Sequence, residues 1–157
     1  MSRLPHRTSA GWAYFVTTKA FQPANAFQVQ GVASIVVGKL LEYRDKGNYL
    51  LHEFVVMPNH FHLLLTPGET TSLEKAVQLV KGGSSHEIHK RTENKMEIWQ
   101  VGFHDWTIRD GEDYRSKVRY IQMNPVQAGL VERSGDWPYG SACGRFVLDP
   151  VPEKFKS

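Results

Sequence analysis

The chain has 157 residues, 41% apolar and 22% charged, a balance that supports a folded core and excludes a disordered chain. Its net charge of +3 is compatible with nucleic acid as a partner without demanding it, and the lone Cys143 excludes an internal disulfide or a cysteine-built metal cluster. No apolar run reaches the roughly 18–20 residues of a membrane span, and no apolar signal segment follows the basic start Met1–Arg7. The expectation is one cytoplasmic domain over 1–157 with no membrane contact, its core at about 10–141 and a short polar tail after about 146.

Trp12 to Lys19 is rich in aromatic and β-branched residues and predicts a first strand. Gln22-Pro23-Ala24-Asn25 breaks it. From about Phe27 to Arg44, Val29, Val32, Ala33, Val36, Leu40 and Tyr43 recur at helical spacing, weakened by Gly31 and Gly38. Lys46-Gly47-Asn48 is a turn, and Tyr49–Met57 a second strand. Pro58-Asn59 suits a tight turn into a third strand, His60–Thr66, so these two strands form a hairpin.

Pro67-Gly68 ends the hairpin, and Thr71-Ser72-Leu73-Glu74 reads as a capping box opening a second helix. Gly82-Gly83-Ser84-Ser85 is expected to interrupt or end that helix, and His86 to Lys95 carries no clear pattern. A fourth strand is expected near the end of Ile98–Arg109. Strand, helix, strand, strand, helix, strand is the α+β pattern of a ferredoxin-like βαββαβ sandwich. An additional helix follows, capped by Asp110, with Glu112 and Asp113 at its positive end. Tyr114, Val118 and Ile121 form its packing face; Asp113, Lys117, Tyr120 and Asn124 form a neighbouring polar stripe. Pro125 is expected to end it at Asn124. Asp136–Ser141 reads as an ordered surface segment held by its aromatics.

The chemistry starts at His60-Phe61-His62. Alternate side chains of a strand share a face, so the two imidazoles lie together and Phe61 points away. Such a pair is half of a metal site, although a His-x-His pair alone is more often structural. Asn124 and Tyr120, one turn apart, are candidate partners. Two imidazoles and a carboxamide oxygen suit Mg²⁺ or Mn²⁺, and Tyr120 could then act as a nucleophile on a phosphate. Asn124 could equally be a helix C-terminal residue, and Tyr120 a packing tyrosine. His104, Asp105, Asp113 and Lys117 are the candidates for a base. Lys81, Lys90, Arg91, Arg109, Arg115, Lys117 and Arg119 could contact phosphates of DNA, or form an ordinary solvated surface. Trp99 and Trp106 could stack on unpaired bases, or lie in the core.

Met57-Pro58-Asn59-His60-Phe61-His62 resembles the His-hydrophobe-His signature of the HUH single-tyrosine transposases. Trp99–Asp105, Tyr120–Leu130 and Asp136–Ser141 resemble the segments that follow it, from roughly Ala10 to Ser141 in all. The ending Asn124-Pro125-Val126-x-x-Gly129 resembles the REP-associated tyrosine transposase branch. The resemblance implies that His60, His62 and Asn124 hold the metal. It implies that Tyr120 attacks single-stranded DNA bearing hairpins, giving a 5′-phosphotyrosine and a free 3′-hydroxyl. A monomer or a homodimer that exchanges the tyrosine helix would both fit. Two rival readings are a non-catalytic nucleic-acid-binding module of the same fold and a zinc hydrolase; the first would not need a divalent metal and the second would not need Tyr120.

Overall fold

A computed structural model describes residues 12–21, 31–92 and 96–156. Among them the chain runs β1 (Tyr14–Lys19), α1 (Val32–Asp45), β2 (Tyr49–Met57), β3 (His60–Pro67), α2 (Leu73–Thr92), β4 (His104–Thr107) and α3 (Gly111–Gln127), followed by three short 3₁₀ turns. The strands form one four-stranded sheet in the order β2-β3-β1-β4, with every neighbouring pair antiparallel. This is the ferredoxin-like α+β sandwich with an added C-terminal helix. No helix among the described residues is long and apolar enough to cross a membrane.

Both faces of the sheet are covered. Val16, Phe54, Val56, Phe61, Leu63 and Leu65 pack with Val36, Leu40, Val77 and Val80 of α1 and α2. Ala13, Val55, Met57 and Leu64 pack on the opposite face with Tyr114 and Ile121 of α3 and with Phe155. Each large side chain taken fully out of water contributes about 1.5–3 kcal/mol, so the alternation along β3 is strongly specified. Phe61 is fully buried against the ring of Trp99, at 5.0 Å between centroids.

Several local expectations change. The predicted break at Gln22–Asn25 and the predicted helix start at Phe27 lie outside the described residues; α1 is described from Val32. The α2 cap is Ser72, not Thr71: Ser72 Oγ accepts the Lys75 N–H at 3.0 Å. Gly82-Gly83 does not end α2, which continues to Thr92. Gly83 has a packing reason, since a Cβ there would run into the ring of Tyr43 on α1. Ser84 is accommodated because its hydroxyl donates back to the Val80 carbonyl at 2.6 Å. Pro125 does not end α3 at Asn124; it lies buried in the last turn, and the helix closes through Ala128 N–H to Asn124 O at 3.0 Å.

The stretch after Phe146 returns to the domain instead of trailing as a polar tail. Asp149 accepts from Leu51 N–H at 2.8 Å and from Arg44 Nε at 3.0 Å, while its own N–H donates to Leu51 O at 2.9 Å. Val56 N–H donates to Tyr139 O at 2.8 Å and Phe54 N–H to Ser141 Oγ at 3.0 Å. The outer edge of β2 is thereby hydrogen-bonded along much of its length. Phe155 stacks on Tyr114, at 5.5 Å between rings.

Two glycines make a paired test. Gly82 is exposed with nothing near its missing Cβ, so Gly82→Ala should stabilise the fold by about 1 kcal/mol through helix propensity. A Cβ at Gly68 would lie 2.7 Å from the Gly47 carbonyl oxygen, a backbone atom that cannot swing aside, so Gly68→Ala should destabilise by about 1–3 kcal/mol. Urea midpoints shifting in opposite directions are the expected result.

Candidate active site

The hairpin places the two histidines by register. His60 pairs with Lys19 and Met57, and His62 with Thr17 and Val55. Because Phe61 is drawn into the helix-covered core, both imidazoles face the α3 side, with ring centroids 4.7 Å apart. Each ring is held through Nδ1. His60 Nδ1 lies 2.7 Å from Asn59 Oδ1, an acceptor, so His60 donates there. His62 Nδ1 lies 2.8 Å from Thr17 Oγ1. Donation from His60 Nδ1 leaves its Nε2 with a lone pair, and Thr17 Oγ1, which can accept from His62 Nδ1 as well as donate to it, allows the same tautomer at His62.

The environment keeps these rings neutral. Burial and the neighbouring His60 lower the His62 pKa to about 3, and burial lowers that of His60. His62 Nε2 is buried and makes no hydrogen bond with any described residue. The same is true of Asn124 Oδ1, although its carboxamide lies close enough to His60 to favour the protonated ring. Proximity without the right angle does not satisfy a carboxamide oxygen. Orphaned buried acceptors cost stability, about 1–3 kcal/mol for a neutral group, so two at one site mark a place prepared for something electropositive.

Tyr120 comes to this place from α3 within the same chain. Its ring meets His62 edge to face at 5.2 Å between centroids and Phe15 at 5.8 Å, and it remains 48% exposed. Phe15 in turn stacks on His62 at 5.2 Å. Together with Thr17, Lys19, Asn59, Gln100 and His104, these groups line an open cleft of about 750 Å³.

α3 is held on both sides of Tyr120. At its start, Asp110 accepts the Asp113 N–H at 2.8 Å, the cap expected from the sequence. Asp113 is itself buried and accepts from Trp106 Nε1 at 3.0 Å, Arg109 N–H at 2.9 Å and Lys117 Nζ at 3.0 Å. Burial alone would raise this carboxyl; the Arg109 N–H, Lys117 and Trp106 outweigh it and hold it far below the usual range. Beyond Tyr120, Gln122 donates to Glu53 at 3.4 Å, and Glu53 also accepts from Ser141. Ile121 and Pro125 pack beside Val55 and Trp137.

The remaining candidates divide by position. Asp113 is saturated with donors and is unsuited to be a base. Lys117 is paired with it, while His104 stands at the cleft and Asp105 lies on the neighbouring sheet position. Arg115 and Arg119 are exposed on α3, and Arg109 is 70% exposed beside Asp113. Lys81 is committed elsewhere: its ammonium donates to the carbonyls of Gln100 and Gly102 at 2.8 and 2.7 Å, holding the loop that carries Gln100 to the cleft. Lys90 and Arg91 sit in the last turn of α2, with Arg91 paired to Glu87. Trp99 is core; Trp106 is not. Sequence reasoning missed Phe15, Thr17, Lys19, Asn59 and Gln100. Only the β1–β3 register could have pointed to Thr17 and Lys19.

Among the described residues no cluster of three His, Cys, Asp or Glu side chains could hold a metal. A site here needs the Asn124 carboxamide beside the two imidazoles. The two neutral rings, their fixed Nδ1 atoms and the orphaned oxygen fit a small oxygen- and nitrogen-binding divalent cation.

Comparison with known proteins follows the same line. The family model described as "Transposase IS200 like" matches residues 24–124. A REP-associated tyrosine transposase of Escherichia coli (strain K12) is 32% identical over 99 residues, 62% of this chain and 56% of that protein. A Haemophilus influenzae relative is 31% identical over 96 residues, 55% of this chain and 54% of its own. The chain thus matches little more than half the length of these relatives. A solved structure of a REP-associated tyrosine transposase bound to a REP hairpin superposes with a TM-score of 0.74 over 96% of this chain and 92% of that one, and at 24% identity the likeness is one of fold. The family match spans well over half of the sequence and takes in the hairpin, the histidine pair and α3 as far as Asn124, and the chain belongs to the IS200-like transposase family.

Proposed function

We propose that the protein nicks and rejoins single-stranded DNA through a covalent bond to Tyr120, acting on DNA that forms hairpins. The observation that carries this reading is the half-exposed Tyr120 ring against His62, beside two orphaned acceptors in an open cleft. The hairpin substrate is suggested by the REP hairpin in the structurally similar transposase. The tyrosine reaches the histidines from within its own chain, so a monomer suffices for the reading.

In this account His60, His62 and Asn124 would hold Mg²⁺ or Mn²⁺. The ion supplies Lewis-acid polarisation of a phosphate oxygen when bound. The protein's own groups do the rest. Asn59 and Thr17 hold the rings through Nδ1, and with both Nδ1 atoms donating, both Nε2 atoms present lone pairs without a change of protonation. Phe15 packs the inner wall and steers the phenol edge-on to His62. Lys19, paired with His60 across the strands, brings a positive charge to the mouth of the cleft, where a phosphodiester would enter. The Tyr120 oxygen attacks phosphorus, the bond from phosphorus to the 3′ oxygen breaks, and the phenol proton is given up while the 3′ oxygen gains one. The product is a 5′-phosphotyrosine and a 3′-hydroxyl. Rejoining reverses the step with another 3′-hydroxyl and needs no nucleotide cofactor.

Three substitutions test the reading. Tyr120→Phe should form no covalent adduct with a labelled single-stranded hairpin in Mn²⁺, while its stability stays within about 0.5 kcal/mol of the parent. A persisting adduct on denaturing gels would mean that another residue is the nucleophile. His60→Ala should lose cleavage and bind Mn²⁺ more weakly by calorimetry; undiminished cleavage would remove the metal from the account. Thr17→Val should cut Mn²⁺ affinity by about 10–100-fold, because it frees the His62 ring without touching a ligand atom. Unchanged affinity would show that Thr17 does not orient the ring.

A further inference from the structure

Trp106 is a large, partly exposed aromatic side chain beside the cleft that takes no part in the steps described for Tyr120 and the histidines. It lies on β4 opposite Phe15 of β1, on the same sheet face as the histidine pair. The indole is 46% exposed, yet its polar atom is already satisfied: Nε1 donates to the buried Asp113 at 3.0 Å. The ring is therefore fixed in orientation while much of its surface stays open. Two cations lie against it. Lys117 Nζ is 4.5 Å from the ring centroid and 5.9 Å from that of Phe15, held in place by Asp113. The Arg109 guanidinium is 5.4 Å from the indole, on a side chain 70% exposed and only loosely joined to Asp113 at 3.4 Å. Phe15 connects this group to Tyr120, whose ring it also touches.

We propose that Trp106, with Lys117 and Arg109, is a stacking platform for one unpaired nucleobase next to the cleaved phosphodiester. The chemistry matches the ligand. A fixed, exposed indole offers its π-face to any base, and each such stack is worth about 1–3 kcal/mol. Arg109 can leave the ring for a phosphate at little cost, because its bond to Asp113 is long and its head is solvated. Lys117 is the less mobile partner and keeps a positive charge between the platform and Tyr120. Burying Asp113 beneath the tryptophan has a physical purpose on this account: it locks the indole and stiffens the first turns of the tyrosine helix together. The proposal rests on the functional reading above, and supplies a nucleotide position for it.

The test is an abasic scan. The probe is a labelled hairpin with unpaired mixed-sequence flanks, and its binding is read by fluorescence anisotropy in the Tyr120→Phe background, where no chemistry intervenes. Removing single bases should weaken binding about tenfold at one flanking position and little elsewhere. Trp106→Ala should weaken the intact probe by a similar factor and lose all sensitivity at that position; Trp106→Phe should keep the sensitivity. An alanine variant that binds like its parent, or that binds weakly but retains the full abasic penalty, overturns the platform. If Trp106→Ala does not fold, 5-iodouracil placed at the sensitive position should crosslink to the Trp106 peptide, and a crosslink elsewhere overturns it equally. A parent protein that forms an adduct but shows no Trp106 effect defeats the platform alone. One that neither binds the probe nor forms an adduct defeats the functional reading with it.

Discussion

The period of two along β3 is the constraint on which the rest depends. The strand lies inside the sheet, between β2 and β1, with side chains packed on both faces. Phe61, Leu63 and Leu65 can only face α1 and α2, and that sends His60 and His62 to the other side. A slip by one residue would put imidazoles into an apolar core and phenylalanine into the cleft. The apolar majority thus positions the polar minority. The histidines need no fold-directing role of their own, and their burial cost is carried by their neighbours.

That cost is visible in the chemistry. Burial lowers the pKa of both rings, that of His62 to about 3, and Nε2 of His62 is left without a hydrogen bond among the described residues. A chain selected only for stability would fill that position with a donor or an apolar side chain. The polar stripe of α3 serves a different purpose at each step. Asp113 is closed off by three donors and fastens the helix; Lys117 neutralises it; Tyr120 is open to the cleft; Asn124 faces His60 with an unsatisfied oxygen. The inert members of the stripe hold the open ones.

Strong local periodicity made much of this legible in the sequence. The alternation of β3 and the apolar stripe Tyr114, Val118, Ile121 gave both halves of the cleft and their facing sides. What stayed hidden depends on contacts between residues far apart in sequence. Gly83 reads as a helix breaker until Tyr43 of α1 is found packed against it. Pro125 reads as a terminator, but its burial against β2 and Trp137 keeps the last turn in place. Thr17 looks like any strand threonine, and only its register opposite His62 gives it a task. Lys81 looks like a surface cation, although its ammonium is taken up by two backbone carbonyls. Asp149 and Phe155 sit in a stretch with no periodicity at all; the partner of Asp149, Arg44, lies roughly a hundred residues upstream, and that of Phe155, Tyr114, roughly forty.

The bonds that Tyr139, Ser141 and Asp149 make to β2 carry a consequence for assembly. A bare edge strand invites pairing with the same strand of another molecule, and β2 is long enough and apolar enough to do so. Here the chain occupies those positions itself, so lateral growth of the sheet on that side is blocked. The opposite border, β4, is four residues long with mostly solvated side chains, a poor template for the same event. Two copies that associate would therefore have to meet through helical or loop surfaces, and concentrated protein should resist the ordered strand-on-strand aggregation to which open sheets are prone.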